Sequence, residues 1–557
     1  MATPADRRAV HRRLADASSD IEERARHLAL AAEDADSSVA AMLDRAADAA
    51  LARGAPDAAA ELTELAIRLT PTTAPEATTT RTATLSEFLF QAGDTERATE
   101  LLEGVAGALP AGPERADALY RLALFACNNI ARARTLLQRA LEHLGDQSAP
   151  ELRARIFTEL AWVGILGGDL RDGVENSEGA RAVARESGAE VALGLALTAS
   201  AYARFLAGLP ADAALDEAQA MTDALRGIDR LILPRTARGA LAMWAGDLGG
   251  ARVHLEHDHR EITERGQLSL LWEVLVYLAE LEVRAGNWNA AAAHAAEGLD
   301  SLVDAGLQQA MEVHLWSTAL VAAHRGEVQR ARAHAGRALE VAEAHQDLFH
   351  VLTNRSVLGF VELSLGNLEA AERWFEPLER LTGDMRLEEP GAFPYVPDEV
   401  EALVLAGDLD RARPLLDRFE RQAQARNRGG RSRPPRAAAG SCWPPSVTRP
   451  PRSPPWTRRS TSTPWCRSRS ISAARSWSRA GSSVVRSARR PRGHRSSRRS
   501  TSSEVLARRF GYRRRRASSR ASEDAPPRAT SSRLPSARSR SWPQRERRIA
   551  RSRPPSS

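Results

Sequence analysis

The sequence predicts an all-α fold, an α-solenoid of about ten helical hairpins followed by a disordered Arg/Ser/Pro-rich tail. Three observations predict it: a spacing near forty residues between glycine-centred turns, a body rich in Ala, Leu, Glu and Arg, and an abrupt loss of both features after about Asn427. Only 5% of the 557 residues are aromatic, which argues against a large mixed-sheet enzyme.

The turns come first. Gly54, Gly93, Gly168, Gly208, Gly246, Gly286, Gly326, Gly366 and Gly407 recur, with Asn128 in the slot between Gly93 and Gly168, at spacings of 39, 35, 40, 40, 38, 40, 40, 40 and 41. Glycine closes one helix in a left-handed conformation, and an Asp or Asn after it caps the next, as at Asp169, Asp247, Asn287, Asn367 and Asp408. Two residues past the slot the side chain is usually apolar (Ile130, Leu170, Leu248, Trp288, Val328, Leu368, Leu409), which places Trp288 in the core. Five past it the residue is small: Ala59, Ala98, Ala133, Gly173, Ala213, Ala251, Ala291, Ala331, Ala371 and Ala412. A small residue there lets the two helices of a hairpin approach closely. One hairpin cannot bury its apolar face alone, so ten units from about Ala49 to Gln424 stack into a superhelix with a concave groove.

Charge divides the chain. Residues 1–430 hold 44 Arg against 67 Asp plus Glu, a balance of −23, whereas residues 431–557 hold 34 Arg against Glu504, Glu523, Asp524 and Glu546, a balance of +30. No lysine occurs, which excludes Schiff-base chemistry and the lysine of a phosphate loop. Cys127, Cys442 and Cys466 match neither a disulfide framework nor a zinc site, and no apolar run is long enough to span a bilayer, so the expected location is cytoplasmic.

No catalytic constellation is found: no nucleophile elbow, no metalloprotease His-Glu pair, no Cys-x-x-Cys and no dinucleotide loop. The expectation is a protein that is not an enzyme, without cofactor or metal. His254, His257 and His259, with Glu256 and Asp258, form the one dense ligand cluster, and a solvated helix face accounts for it better than a metal site. Trp162, Trp244, Trp272, Trp288, Trp316 and Trp374 are assigned mainly to packing between helices, with groove lining as the lesser role.

The repeat is tetratricopeptide-like, and the opening stretches Pro4–Ala15 and Glu23–Ala32 resemble the region after the ATPase module in the large ATP-binding LuxR-type transcriptional regulators. The resemblance covers about residues 1–425 and implies a helical-repeat sensor arm between a nucleotide-binding domain and a helix-turn-helix. The family's phosphate loop is missing, so ATP binding is not implied, and the chain reads as truncated. The tail is expected to be frame-shifted text. Read from the third base of the Ser541 codon, the codons through Ile549 permit Val-Ala-x-Ala-Gly-Ala-Thr-Asn-Arg, which resembles the lead-in to the LuxR-type recognition motif.

The domains expected are therefore a helical lead-in over residues 1–48, the solenoid over 49–426 and the basic tail over 427–557. The expected function is a sensor and interaction region that binds a protein, peptide or small-molecule effector in the groove, with no membrane partner. Two alternatives stand beside it: a free-standing adaptor, and a non-specific nucleic-acid binder acting through the Arg-rich tail.

Overall fold

A computed structural model describes residues 3–126, 129–145, 149–222, 224–225, 233–304 and 311–428. Cys127, Asn128, Cys442, Cys466 and the basic tail from residue 429 onward lie outside the described residues. Among the described residues every regular element is an α-helix. The first four hairpins are α1 (Pro4–Ala17) with α2 (Ile21–Ala31), α3 (Ser37–Ala52) with α4 (Pro56–Arg68), α5 (Pro75–Gln91) with α6 (Thr95–Ala108), and α7 (Pro113–Phe125) with α8 (Ile130–Leu144). The next four are α9 (Pro150–Leu166) with α10 (Leu170–Ser187), α11 (Glu190–Leu206) with α12 (Asp212–Ala220), α13 (Pro234–Trp244) with α14 (Leu248–Arg265), and α15 (Leu268–Ala285) with α16 (Trp288–Asp304). The last three are α17 (Met311–Arg325) with α18 (Val328–His345), α19 (Leu348–Leu365) with α20 (Leu368–Asp384), and α21 (Val396–Ala406) with α22 (Leu409–Arg428). The expected solenoid start at residue 49 falls inside α3, because Ala46, Ala47 and Ala50 face the same core as α2 and α4.

The local chemistry explains the boundaries. Gly54, Gly93, Gly168, Gly208, Gly246, Gly286, Gly326, Gly366 and Gly407 all have φ between +76° and +89°, a region where a Cβ is unfavourable. The next residue donates its N–H to a carbonyl five positions back, as in Asp247 to Ala242 at 2.9 Å and Asn367 to Glu362 at 2.9 Å, which satisfies the orphan carbonyls of the closing helix. Asp169, Asp247 and Asp408 then accept from the N–H three residues on, at 3.0, 2.9 and 3.1 Å. Asn287 and Asn367 correct the expectation of a uniform cap. Their amides reach back to donate to Glu282 (2.7 Å) and Glu362 (2.8 Å), carboxylates that also accept from Arg252 and Arg332 of the preceding hairpin. Pro56, Pro75, Pro113 and Pro150 open other helices, where a missing N–H costs nothing.

Packing follows from the small residue past each turn. Ala59, Ala98, Ala251, Ala291, Ala331, Ala371 and Ala412 are all 0% exposed. Ala213 departs from the pattern. It is exposed, and Ala214 packs in its place, because Leu209 and Pro210 delay the start of α12. The apolar cores run from Ala25–Ala98 to Leu102–Val163 and then to a larger cluster reaching from Ile165 to Ala402.

Between α20 and α21 the chain makes an eleven-residue strap, Met385–Tyr395, whereas α14–α15 and α18–α19 are joined by two residues each. The strap runs back to three earlier hairpins. Glu388 and Glu389 donate their N–H groups to the Leu206 carbonyl at the end of α11 (2.9 and 3.2 Å), and Arg284 of α15 donates to the Gly391 carbonyl at 3.0 Å. Gly391 lies against the Trp244 carbonyl so closely that a Cβ would sit 1.9 Å from that oxygen. Met385, Leu387, Ala392, Phe393 and Tyr395 are buried in the largest core cluster.

Gly391→Ala should therefore cost about 3 kcal/mol or more, since the backbone it meets cannot yield. Gly286→Ala, with open space around it but a left-handed backbone, should cost about 1–2 kcal/mol. Urea unfolding of both variants checks the order; a strap substitution milder than the turn substitution would mean that the strap is not held as described.

Candidate functional site

The repeat brings the same faces of α15, α17 and α19 side by side. On α17 the four-residue spacing of Trp316, Leu320 and His324 puts all three on one stripe; on α19 Thr353, Val357 and Phe360 do the same. With Glu280 and Arg284 of α15 and Trp288 at the start of α16, they line a groove with a cavity volume of about 260 Å³. Ala392, Phe393 and Pro394 of the strap form the remaining wall, and Asp398 of α21 stands at its end.

Beneath the strap is an aromatic hub around Trp244. Tyr202, Tyr277 and Phe349 lie 5.6, 6.3 and 6.2 Å from its ring, Trp162 packs on Tyr202 at 5.2 Å, and Phe393 packs on Phe349 at 4.7 Å. The Tyr202 and Tyr277 hydroxyls are 2.7 Å apart, and burial pushes both phenols up. The hub fills the space between α9, α11, α13, α15 and α19, so the groove begins where the hub ends.

The polar floor of the groove is one ion pair. Arg284 donates through Nε (2.9 Å) and Nη2 (2.5 Å) to Oε1 of Glu280, and Trp244 Nε1 donates to the same oxygen at 3.3 Å. Both side chains of the pair are 6% exposed. The other carboxylate oxygen, Glu280 Oε2, is buried and has no hydrogen-bond partner. One turn toward the amino terminus is Tyr277, and two turns away is Glu273, a buried carboxyl pushed well up by desolvation. On the aromatic side His324 stacks on Phe360 at 4.6 Å, with its Nδ1 3.0 Å from the Leu320 carbonyl.

The residues singled out from sequence are distributed unevenly with respect to this site. Gly286 lines the groove; Gly54, Gly93, Gly168, Gly208, Gly246, Gly326, Gly366 and Gly407 stand at the other hairpin turns, away from it. Trp244, Trp272 and Trp316 are buried, but Trp288 is half-buried in the groove wall, which corrects its assignment to the core. Trp374 is half-buried under the Arg355 guanidinium.

The three histidines of α14 point to different neighbours. His257 lies 3.3 Å from Glu261 of its own helix, His259 lies 3.2 Å from Glu297 of α16, and His254 is held below the usual imidazole range, first by burial and then by Arg238 and Arg235. No group of three or more His, Cys, Asp or Glu side chains among the described residues is arranged to hold a metal ion. No described helix is long and apolar enough to cross a membrane.

The strap and the Glu280–Arg284 pair were not singled out from sequence. The strap escaped because α21 has 11 residues where α15 and α19 have 18, so the shortened helix absorbs the insertion and the Gly366–Gly407 spacing stays at 41. The composition of Leu387–Tyr395, with Pro390, Gly391 and Pro394, was the available signal.

Fold and site together define a tetratricopeptide-like helical-repeat protein. No family model matches the chain, and no curated protein matches it. Among solved structures it is similar to a Rap protein complexed with competence and sporulation factor (14% identity, TM-score 0.37, covering 70% of this chain and 100% of that one). It is also similar to a signal transduction ATPase with numerous domains from Pyrococcus horikoshii that carries a tetratricopeptide repeat sensor (12% identity, TM-score 0.30, covering 71% of this chain). This chain spans 54% of that protein. Yeast Tom70 is a third (13% identity, TM-score 0.28, covering 70% of this chain and 92% of that one).

A titration prediction arises next to the groove, on α21. Glu399 is 4% exposed, its Oε2 has no partner, and burial first, then Glu379, Glu376 and Glu372 of α20, push its carboxyl up to about 8 against the pull of Arg411. Its folded pKa lies above the unfolded value, so the native state loses stability as pH rises from about 4.5 through 8. Glu399→Gln should remove that loss and be the more stable form at pH 8 by on the order of a few kcal/mol, with little gain at pH 5. Parallel unfolding slopes for the two proteins across pH 5–9 would show that Glu399 is not the titrating group.

Proposed function

We propose that this chain is a non-catalytic interaction arm whose groove on α15, α17 and α19 binds a peptide segment of a partner. The observation that carries the reading is the strap: the solenoid already holds a non-helical stretch of its own backbone against the ends of its inner helices. It does so by main-chain hydrogen bonds to Leu206 and Arg284 and a buried aromatic anchor, Phe393. The adjoining groove offers the same kind of surface without an occupant from the described chain, with aromatic walls at Trp288, Trp316 and Phe360 and a small polar floor, the composition of a recognition groove.

The finer reading is the sensor arm of a LuxR-type transcriptional regulator, supported by the resemblance of Pro4–Ala15 and Glu23–Ala32. Its check is the genomic sequence: a phosphate loop encoded upstream in frame and a helix-turn-helix restored by a one-base correction near codon 427 are expected. The Arg-rich segment proposed for nucleic-acid binding lies outside the described residues.

The groove is tested by panning a phage-displayed library of random dodecapeptides against the full-length chain and measuring the enriched peptide by fluorescence anisotropy. Phe360→Ala should weaken binding at least tenfold, as removal of a central aromatic anchor does. Undiminished binding by that variant, with its helical content intact, would place recognition elsewhere.

A further inference from the structure

Across the outer helices of the solenoid, carboxylates are matched by arginines from the neighbouring hairpin, including Arg97 with Glu64, Arg132 with Glu103, Arg134 with Asp172 and Arg185 with Glu217. The groove departs from that rule. Its polar floor is instead a pair within one helix, Glu280 and Arg284. Arg284 spends two of its donors on one oxygen of Glu280 and a third on the strap carbonyl of Gly391. Oε2 of Glu280, on a side chain 6% exposed, is left with no donor. A buried carboxylate oxygen without a donor costs free energy that a ligand N–H recovers on binding.

The walls around this ion pair are π-faces, Trp288, Trp316, Phe360 and Phe393. Such faces attract cations and also cover the methylene stem of a long basic side chain. A neutral donor would satisfy Glu280 but leave the aromatic faces unused.

Resting on the groove-binding reading above, we infer that the groove selects a basic side chain of a partner peptide. The guanidinium or ammonium group of an arginine or lysine lies at Glu280, and its stem lies against Trp316, Phe360 and Phe393.

The test uses the full-length chain and the dodecapeptide most enriched in the panning. That peptide is expected to contain an arginine or lysine whose replacement by a neutral residue, citrulline for arginine or norleucine for lysine, weakens binding at least tenfold. Glu280→Gln should bring the charged and neutral peptides to within about twofold of each other, whereas Glu100→Gln, on an exposed outer face, should leave the difference unchanged. Because Glu280→Gln leaves Arg284 with a weaker partner, a benzophenone placed beside the basic residue supplies a second readout on the unaltered chain, with cross-links expected on α15, α17 or α19. Enriched peptides without a basic residue, equal binding of the neutral peptide, or cross-links confined to other helices would each overturn the cation assignment while leaving a peptide-binding groove. A peptide that binds only by dissociating a dimer would name a second copy as the occupant and overturn it too. Failure of any peptide to enrich removes the groove reading itself.

Discussion

Everything in this solenoid depends on how closely two helices can approach just past each turn. The alanines five residues beyond the glycines are 0% exposed in seven of the hairpins, and there the neighbouring backbone takes the place of a side chain. Close pairing leaves each hairpin thin, with too little apolar surface to hold a core alone. The larger residues on the outer sides of the pair must then be buried against the next hairpin, which produces clusters that pass from one repeat to the next. The repetition of one small residue thus propagates into the regular alignment of α15, α17 and α19, and so into the spacing of the side chains that line the groove.

The strap changes what that regular array can do. By burying Phe393 beside Phe349 and setting Gly391 against Trp244, it converts part of the inner surface from a groove into a core and leaves the remainder bounded on one side by its own backbone. It also joins parts of the chain distant in sequence, since α19 touches α9 and the strap reaches α11, α13 and α15. A repeat protein in which each hairpin met only its neighbours would have no such cross-connection, and its inner face would stay open along its length.

Electrostatics divide along the same line. The outer arginines and carboxylates are largely solvated pairs, each of small energetic weight, that keep neighbouring hairpins in register. The inner carboxyls sit in low dielectric, where Glu273 and Glu399 are held toward the neutral form by burial. His314 follows the opposite rule for a base: burial brings it down to about 4, so it stays an uncharged packing group between Trp272 and Leu275 near neutral pH.

The all-α class and the stacked hairpins were legible in the residue pattern, because a turn, its cap and a small contact residue are local requirements that recur at one spacing. That pattern also carried its own errors. A delayed helix start moved the contact from Ala213 to Ala214, Asn287 and Asn367 bonded backward instead of capping, and Trp288 faced the groove instead of the core. A concave groove was expected from the repeat, but the residues that line it were not legible. Glu280 and Arg284 are an ordinary i, i+4 pair in the text, alike to many others, and only their position under the strap buries them. A period records what neighbouring residues require of one another; which faces meet across 100 residues is decided by the path of the folded chain, as in the bond from Arg284 to Gly391.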